Sequence, residues 1–407
     1  MKKCSTCGRA FDDTWEVCLN CREPLEKTHD DYVPPKYSVS ESTKVWNGFF
    51  MVAVIVAIAF CIFGIGLFLR LSCGSVTFPA PFDGRVSFSP DGRHLICGIR
   101  GSNDGGGGIH RMNKDWTNPI KLTTPAPKSV PMRWYVYTAY SCDGYPTYSP
   151  DGLKIVYTRH PSCNRAEAGH LFIMNADGTN PTQLTSGPYL DTAPVFSPDG
   201  QHIYFLREWD KDGRGSFIDA ARAIYSMRSD GTDAQRITGD NYEYVGAPAI
   251  SPDGKHLAFP ARPDRYGPVY LNIMFLENNK NEITKQKFSH NMPDGIKWEN
   301  YTVEDPVYSP DGKYLLFNIS IWSVNQSGVQ TGGAINAICR FNLETKATEQ
   351  IADVSMFGWG WPSISPDGKT IIFLEYDSSL GGIFKSFWSV NSDGSNPRQI
   401  RLNLKQA

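Results

Sequence analysis

Ser-Pro-Asp-Gly is written six times in this chain, beginning at Ser89, Ser149, Ser197, Ser251, Ser309 and Ser365, at intervals of 48 to 60 residues. An apolar or aromatic residue stands before each copy, and a short apolar run follows, from residues 95–97 in the first to 371–373 in the last. Self-similarity at a steady period means that one supersecondary unit has been copied and stacked against itself.

The tetrapeptide is a turn with a physical basis. Pro pre-sets φ for the second position of a type I turn, Asp suits the third, and Gly takes the left-handed position after it. Such a turn joins two antiparallel strands. A second turn signal follows in most units, as Asn175-Ala-Asp-Gly178, Arg228-Ser-Asp-Gly231 and Asn391-Ser-Asp-Gly394, with degenerate forms at 113–116, 276–279 and 342–345. Each unit therefore reads as four antiparallel strands, a propeller blade, and six units make six blades. The second strand of each unit is apolar at consecutive positions, as a strand covered on both faces must be. Pro146, Pro194, Pro248, Pro306 and Pro362 stand three residues before the Ser, with Val86 there in the first copy. Proline cannot donate to a ladder, so it places this strand at an edge, along a central channel. Aromatic residues make up 13% of the chain, enough to fill the wedges between blades.

The fold class expected is all-β: a six-bladed β-propeller of four-stranded antiparallel blades, behind a small zinc ribbon and a single transmembrane α-helix. The repeats resemble those of the TolB-type propeller family over residues 84–402, through Ser-Pro-Asp-Gly and the Asp-Gly motif that precedes Leu-Thr. That resemblance implies the fold; the family lends its shape to binding proteins, to the front domains of peptidases and to some lyases. The first unit opens on an inner strand and the last closes on an outer one. Ring closure is therefore expected from side-chain packing without a shared strand.

Ahead of the propeller, residues 1–27 carry Cys4-x-x-Cys7 and Cys18-x-x-Cys21. Four thiolates from two knuckles complete a tetrahedral Zn²⁺ shell, and the metal would supply the folding energy of so small a segment. The alternative is two redox or disulfide pairs. The segment resembles the short zinc ribbons at the N-termini of many bacterial membrane proteins. Its five Lys/Arg are matched by five Asp/Glu, a poor footprint for phosphate, so no nucleic-acid partner is expected. Residues 28–44 form a polar linker. Residues 45–71 form the membrane segment, within which 49–69 run for 21 residues without a charge, long enough to span the bilayer. A cleaved signal peptide would have a shorter apolar stretch nearer the terminus. Cys73 follows Leu71-Ser72 and hints at a lipidation box, against which Arg70 and the long preceding segment argue. A second linker, 72–83, leads to the propeller.

Charges flanking the membrane segment are tied, so orientation rests on the cysteines. Reduced Cys4, Cys7, Cys18 and Cys21 need a reducing compartment, which puts the N-terminus in the cytoplasm and the propeller outside it. Cys142 and Cys163 flank the first hairpin of blade two and come into near register there; a disulfide and two unpaired thiols are the open readings. Cys97 and Cys339 fall within strands and are expected to be buried.

Candidate chemistry is sparse. His94, His202 and His256 recur five residues after the Ser, but Lys154, Tyr314 and Thr370 fill that position elsewhere, which suits a solvated turn residue better than a metal ligand. Asp83, Asp143 and Asp191 stand six residues before the Ser in the first three units. They could ring one channel mouth and hold a cation or a basic group, or face water as strand-entry residues. Gly105–108 lacks the strand-to-helix context of a phosphate loop. No Gly-x-Ser-x-Gly elbow occurs, and about six residues follow the last blade, so a hydrolase domain beside the propeller, and catalysis with it, are not expected. What remains is surface: Trp134, Tyr135, Tyr137, Tyr140, Trp209, Trp298, Tyr301 and Trp322 lie in the longest insertions, as a binding face or as plugs over the blade ends. The expectation is a membrane-anchored, non-catalytic scaffold for a protein or glycan partner. The rival is a propeller lyase acting on an acidic polysaccharide with a channel-bound metal; a transmembrane sensor is the third reading.

Overall fold

A computed structural model describes residues 2–3, 10–11, 26–27, 85–99, 108–124, 127–131, 136–140, 142–161, 168–210, 220–264, 269–277, 301–321, 335–352, 358–377 and 383–400. The chain divides into two units, 1–74 and 75–407. In the first, β1 (Lys2–Lys3) pairs antiparallel with β2 (Ala10–Phe11) and with β3 (Glu26–Lys27). The connection from β1 to β2 carries Cys4 and Cys7 in sequence. Those two, with Cys18, Cys21 and the expected membrane segment, lie outside the described residues. Among the described residues, no helix is long and apolar enough to cross a membrane.

The second unit contains six four-stranded antiparallel sheets. Blade one is β4 (Ser87–Phe88), β5 (His94–Ile99), β6 (Gly108–Asn113) and β7 (Ile120–Lys121). A two-stranded hairpin follows, β8 (Pro127–Pro131) with β9 (Val136–Tyr140). Blade two is β10 (Cys142–Tyr148), β11 (Lys154–His160), β12 (His170–Asn175) and β13 (Thr182–Gln183). Blade three is β14 (Leu190–Phe196), β15 (His202–Trp209), β16 (Ala221–Arg228) and β17 (Gln235–Arg236). In blade four the inner strand is split into β18 (Tyr244–Val245) and β19 (Ala249–Ile250), both pairing with β20 (His256–Arg262), which also pairs with β21 (Tyr270–Phe275). Blade five is β22 (Tyr301–Tyr308), β23 (Tyr314–Ile321), β24 (Ile335–Asn342) and β25 (Thr348–Ala352). Blade six is β26 (Gly358–Ile364), β27 (Thr370–Asp377), β28 (Ile383–Asn391) and β29 (Arg398–Ile400).

Each Ser-Pro-Asp-Gly copy makes the same hydrogen-bonded knot. In blade three the Gly200 amide donates to the Ser197 carbonyl (2.9 Å), Ser197 Oγ donates to Asp199 Oδ1 (2.5 Å), and the His202 amide donates back to Ser197 Oγ (2.9 Å). The six turn glycines have φ between +67° and +73°, a region costly for any residue with a Cβ. The second turns start beside the first, since the Ser229 amide donates to the Gln201 carbonyl and the Ser392 amide to the Lys369 carbonyl. All tight turns therefore sit on one face of the ring, and the chain between second and third strands leaves from the other. Thr in the outer-strand motif also has a structural use: Thr185 Oγ1 accepts from the Leu171 amide at 3.0 Å, as Thr123 and Thr238 do from Ile109 and Ile224.

Packing follows the expected wedge. The second strands are buried on both faces, and Tyr157, Phe205, Phe259, Phe317 and Phe373 occupy equivalent interior positions. Closure is by side chains. Val86, Leu95, Cys97 and Met112 of blade one share a buried cluster with Ile372, Leu374 and Phe387 of blade six. Trp116, at φ +69° in the place glycine holds in other second turns, lays its ring 4.6 Å from that of Phe387. A Cβ on Gly92 would lie 3.7 Å from Pro366, repeating the turn-to-turn contact made between successive blades. The first strands touch in an unbroken cycle, β4 to β10, β14, β19, β22, β26 and back to β4. That cycle lines the central channel.

Candidate functional site at the central channel

Inner strands carry the feature that positions the site. Their pairing slips between Gly144 and Thr147, Thr192 and Val195, Glu304 and Val307, and Gly360 and Ser363. Each slip is a β-bulge, and the residue in it takes positive φ: Tyr145 (51°), Ala193 (50°), Asp305 (54°) and Trp361 (51°). Proline comes next in all four, so the expected edge prolines sit at bulges, where no ladder amide is needed. Backbone strain of this kind, costing of order 1–3 kcal/mol per residue, persists only where the surroundings hold it in place.

The bulge position is the fourth before each Ser, and its six occupants are Arg85, Tyr145, Ala193, Ala247, Asp305 and Trp361. They form a belt around the channel. Tyr145 and Trp361 meet edge to face at 6.4 Å although blades two and six are not neighbours. Arg85 of blade one is attracted by Asp305 of blade five and by Tyr145. Burial lowers the pKa of the guanidinium, and those two partners oppose the shift. Arg85 Nε and Nη2 are buried without a hydrogen-bond partner.

A second cluster joins the belt from blades three to five. Arg222 Nε lies 3.0 Å from Glu208 Oε2, and the Arg222 and Arg262 guanidinium carbons stand 5.0 and 5.4 Å from the Tyr244 ring centre. Glu304 stands next to Asp305. Burial first, and the Asp305 charge second, raise its pKa to about 7, against the pull of Arg222. The Tyr244 phenol is raised too, by burial and then by Glu304. Burial thus lifts the Glu304 carboxyl toward neutrality beside the Arg222 guanidinium.

The sequence candidates fare unevenly. Asp143 and Asp191 neither ring a mouth nor face water. Each is buried and held side-on by an arginine across its own hairpin, Arg159 Nε and Nη2 reaching Asp143 Oδ1 and Oδ2 at 2.7 and 2.8 Å, and Arg207 doing the same for Asp191 at 2.7 and 2.8 Å. Asp83 lies outside the described residues. His94, His202 and His256 are turn residues whose amides donate to the turn serines, and His256 also packs edge-on against Phe275 at 4.7 Å. Among the described residues, no three His, Cys, Asp or Glu cluster as metal ligands would. Cys97 and Cys339 are buried free thiols, both raised to about 12 by burial. Cys142 is disulfide-bonded, while Cys163 lies outside the described residues.

Of the aromatic set, Trp134, Tyr135, Trp298 and Trp322 lie outside the described residues. Tyr137 and Tyr140 are on β9, so the insertion before blade two is a hairpin. Tyr301 opens β22. Trp209 ends β15, half-buried, with the Arg236 guanidinium 5.4 Å from its ring. The belt and the Glu304 cluster were missed because their side chains differ from blade to blade. The residue before each inner-strand proline was the available signal.

Residues 132–293 match the family model described as TolB beta propeller domain. A solved TolB from Acinetobacter baumannii superposes with a TM-score of 0.50 at 17% identity, over 80% of this chain and 63% of that one, which bears on the fold alone. In sequence the chain is similar to an uncharacterized peptidase, YuxL, of Bacillus subtilis, 29% identical over 43% of this chain and 22% of that protein. It is also similar to dipeptidyl-peptidase 5 of Porphyromonas endodontalis, 24% identical over 66% of this chain and 42% of the relative. The chain thus spans less than half the length of these two relatives. The expectation of a chain without catalytic activity is overturned by these names: the two relatives are named as peptidases, which points to a possible enzyme. The second unit is a six-bladed, TolB-like β-propeller with a polar, strained belt at its axis.

Proposed function

We propose that the propeller is a recognition module that takes a polypeptide partner into the channel from the face opposite the tight turns. One observation carries this reading. Side chains from non-adjacent blades converge across the axis, Arg85 with Asp305 and Tyr145 with Trp361, and three of the four, Tyr145, Asp305 and Trp361, stand on backbone held in strained bulges. Strain and buried charge cost stability, and a binding site is where such a cost is offset. A glycan partner is the other outcome left open by this chemistry. Similarity to proteins named peptidases supports a second reading, in which the propeller selects peptides for hydrolysis.

The anchored arrangement belongs to the same proposal. Residues 45–71 hold the chain in a membrane, Cys4, Cys7, Cys18 and Cys21 hold Zn²⁺ in the cytoplasm, and the propeller lies outside. The disulfide at Cys142 supports that side assignment, since disulfides persist in oxidising compartments.

The test is a photo-crosslinking residue in the full-length, membrane-embedded protein, at Ala247 in the belt or at Lys255 on the turn face. Capture from position 247 alone is expected, with a peptide adduct by mass spectrometry. Equal capture from both positions, or from 255 alone, would contradict the reading. Turnover of fluorogenic dipeptides by the purified full-length chain, absent from a mock purification, would favour the second reading.

A further inference from the structure

The molecule itself shows what its arginines hold. Arg159 and Arg207 each present the side-on edge of the guanidinium, Nε and Nη2, to both oxygens of one carboxylate, at 2.7 and 2.8 Å. The planar fork matches a planar carboxylate, which makes this pairing both strong and geometrically selective. Arg85 offers the same two atoms, buried and without a hydrogen-bond partner. It stands in the belt, in a different place from those two, which lie on second strands. Asp305 attracts it from blade five but leaves this edge unbonded. A buried guanidinium edge without an acceptor costs more than a neutral donor in the same position. An incoming carboxylate removes that cost.

We propose that the side-on edge of Arg85 is a carboxylate site within the channel, which reads a free carboxylate on the bound partner. This rests on the channel being the recognition site. Two sources carry the group: the acidic end or side chain of a polypeptide, and a uronate unit of an acidic glycan. Tyr145 and Trp361 supply aromatic faces beside the site for the body of either ligand, and Ala193 and Ala247 keep the rest of the belt small.

The test uses the full-length protein in detergent and four probes: trialanine, trialanine amide, digalacturonate and its dimethyl ester. Binding is read by calorimetry and by tryptophan fluorescence. One acid should bind roughly tenfold or more tighter than its own neutral form, as expected for a charge-assisted bidentate pair. Preference for trialanine assigns a polypeptide, and preference for digalacturonate an acidic glycan. Arg85→Gln should abolish the discrimination, and Arg85→Lys should recover only part of it, with thermal midpoints recorded for both. The acid-to-neutral comparison on the wild-type chain stands even if a variant fails to fold. Equal affinity for acid and neutral forms would overturn the carboxylate site while leaving channel binding intact. Discrimination that survives Arg85→Gln would overturn it as well. Failure of all four probes to bind would overturn it too, and the channel reading would then stand or fall on the crosslinking at Ala247.

Discussion

The turn face and the channel belt are built from the same six repeats and obey opposite rules. On the turn face the residues hardly vary, and each Ser-Pro-Asp-Gly closes the same set of hydrogen bonds. Along the belt the backbone bulge recurs while the side chain changes at almost every blade, Arg, Tyr, Ala, Ala, Asp, Trp. Uniform positions answer a demand that every blade shares, which is folding. Varied positions on a repeated backbone answer a demand made once, at the axis.

Two buried carboxylates and their arginines lie between these extremes and give the strongest test. Asp191→Ala leaves Arg207, whose side chain is 12% exposed, buried without its acceptor. Urea unfolding should show a loss of about 3–5 kcal/mol. Asp143→Ala should cost less, because the Arg159 side chain is 28% exposed and can reach water. Equal losses would mean that exposure does not govern these pairs.

Glu304, next in sequence to the belt residue Asp305, gives the next test. Its folded pKa, about 7, lies above the ordinary value of 4.5, so the folded state holds the proton more tightly than the unfolded chain. Its burden on stability is therefore absent below the ordinary value, grows as pH rises between the two, and is complete above 7. Glu304→Gln should match wild type at acid pH and exceed it by up to about 3 kcal/mol at pH 8. A wild-type stability that does not fall relative to this variant across that window would contradict the placement.

The turns should show the reverse pH dependence. Each turn aspartate is held below its usual range, first by the hydrogen bond from its serine. That contribution is present above the ordinary carboxylate pKa and is lost as pH falls through the lowered one. Ser251→Ala removes the hydroxyl that donates to Asp253 and accepts from the His256 amide, and should cost about 1 kcal/mol. The same change at another copy should cost about as much, and a spread of several-fold would break the uniformity of this face. The smallest effect is chemical. Cys97 and Cys339, raised to about 12, should resist alkylation until the blades unfold, at which point both react together.

How much of this was legible depends on where each residue's partner lies in sequence. A turn is satisfied within six residues, so its serine, proline, aspartate and glycine announce it, and six copies announce the ring. The Asp143–Arg159 and Asp191–Arg207 pairs need a register, yet both partners are 16 residues apart and both recur in the same two blades. Asp143 and Asp191 fit neither open reading, channel mouth or water, because the arginine that buries each lies on the next strand of its hairpin. Belt residues meet only when the ring closes, Arg85 of blade one with Asp305 of blade five across blade six, and no local pattern encodes that meeting. The proline after the bulge was the one local trace.

Filling the channel tests the central claim most directly. Capture of the partner by the full-length protein should be lost in Ala247→Trp, which blocks the belt, and retained in Lys255→Trp, which adds the same ring to the turn face. Retained capture with the channel blocked, or loss from the turn-face variant alone, would place recognition elsewhere on the propeller.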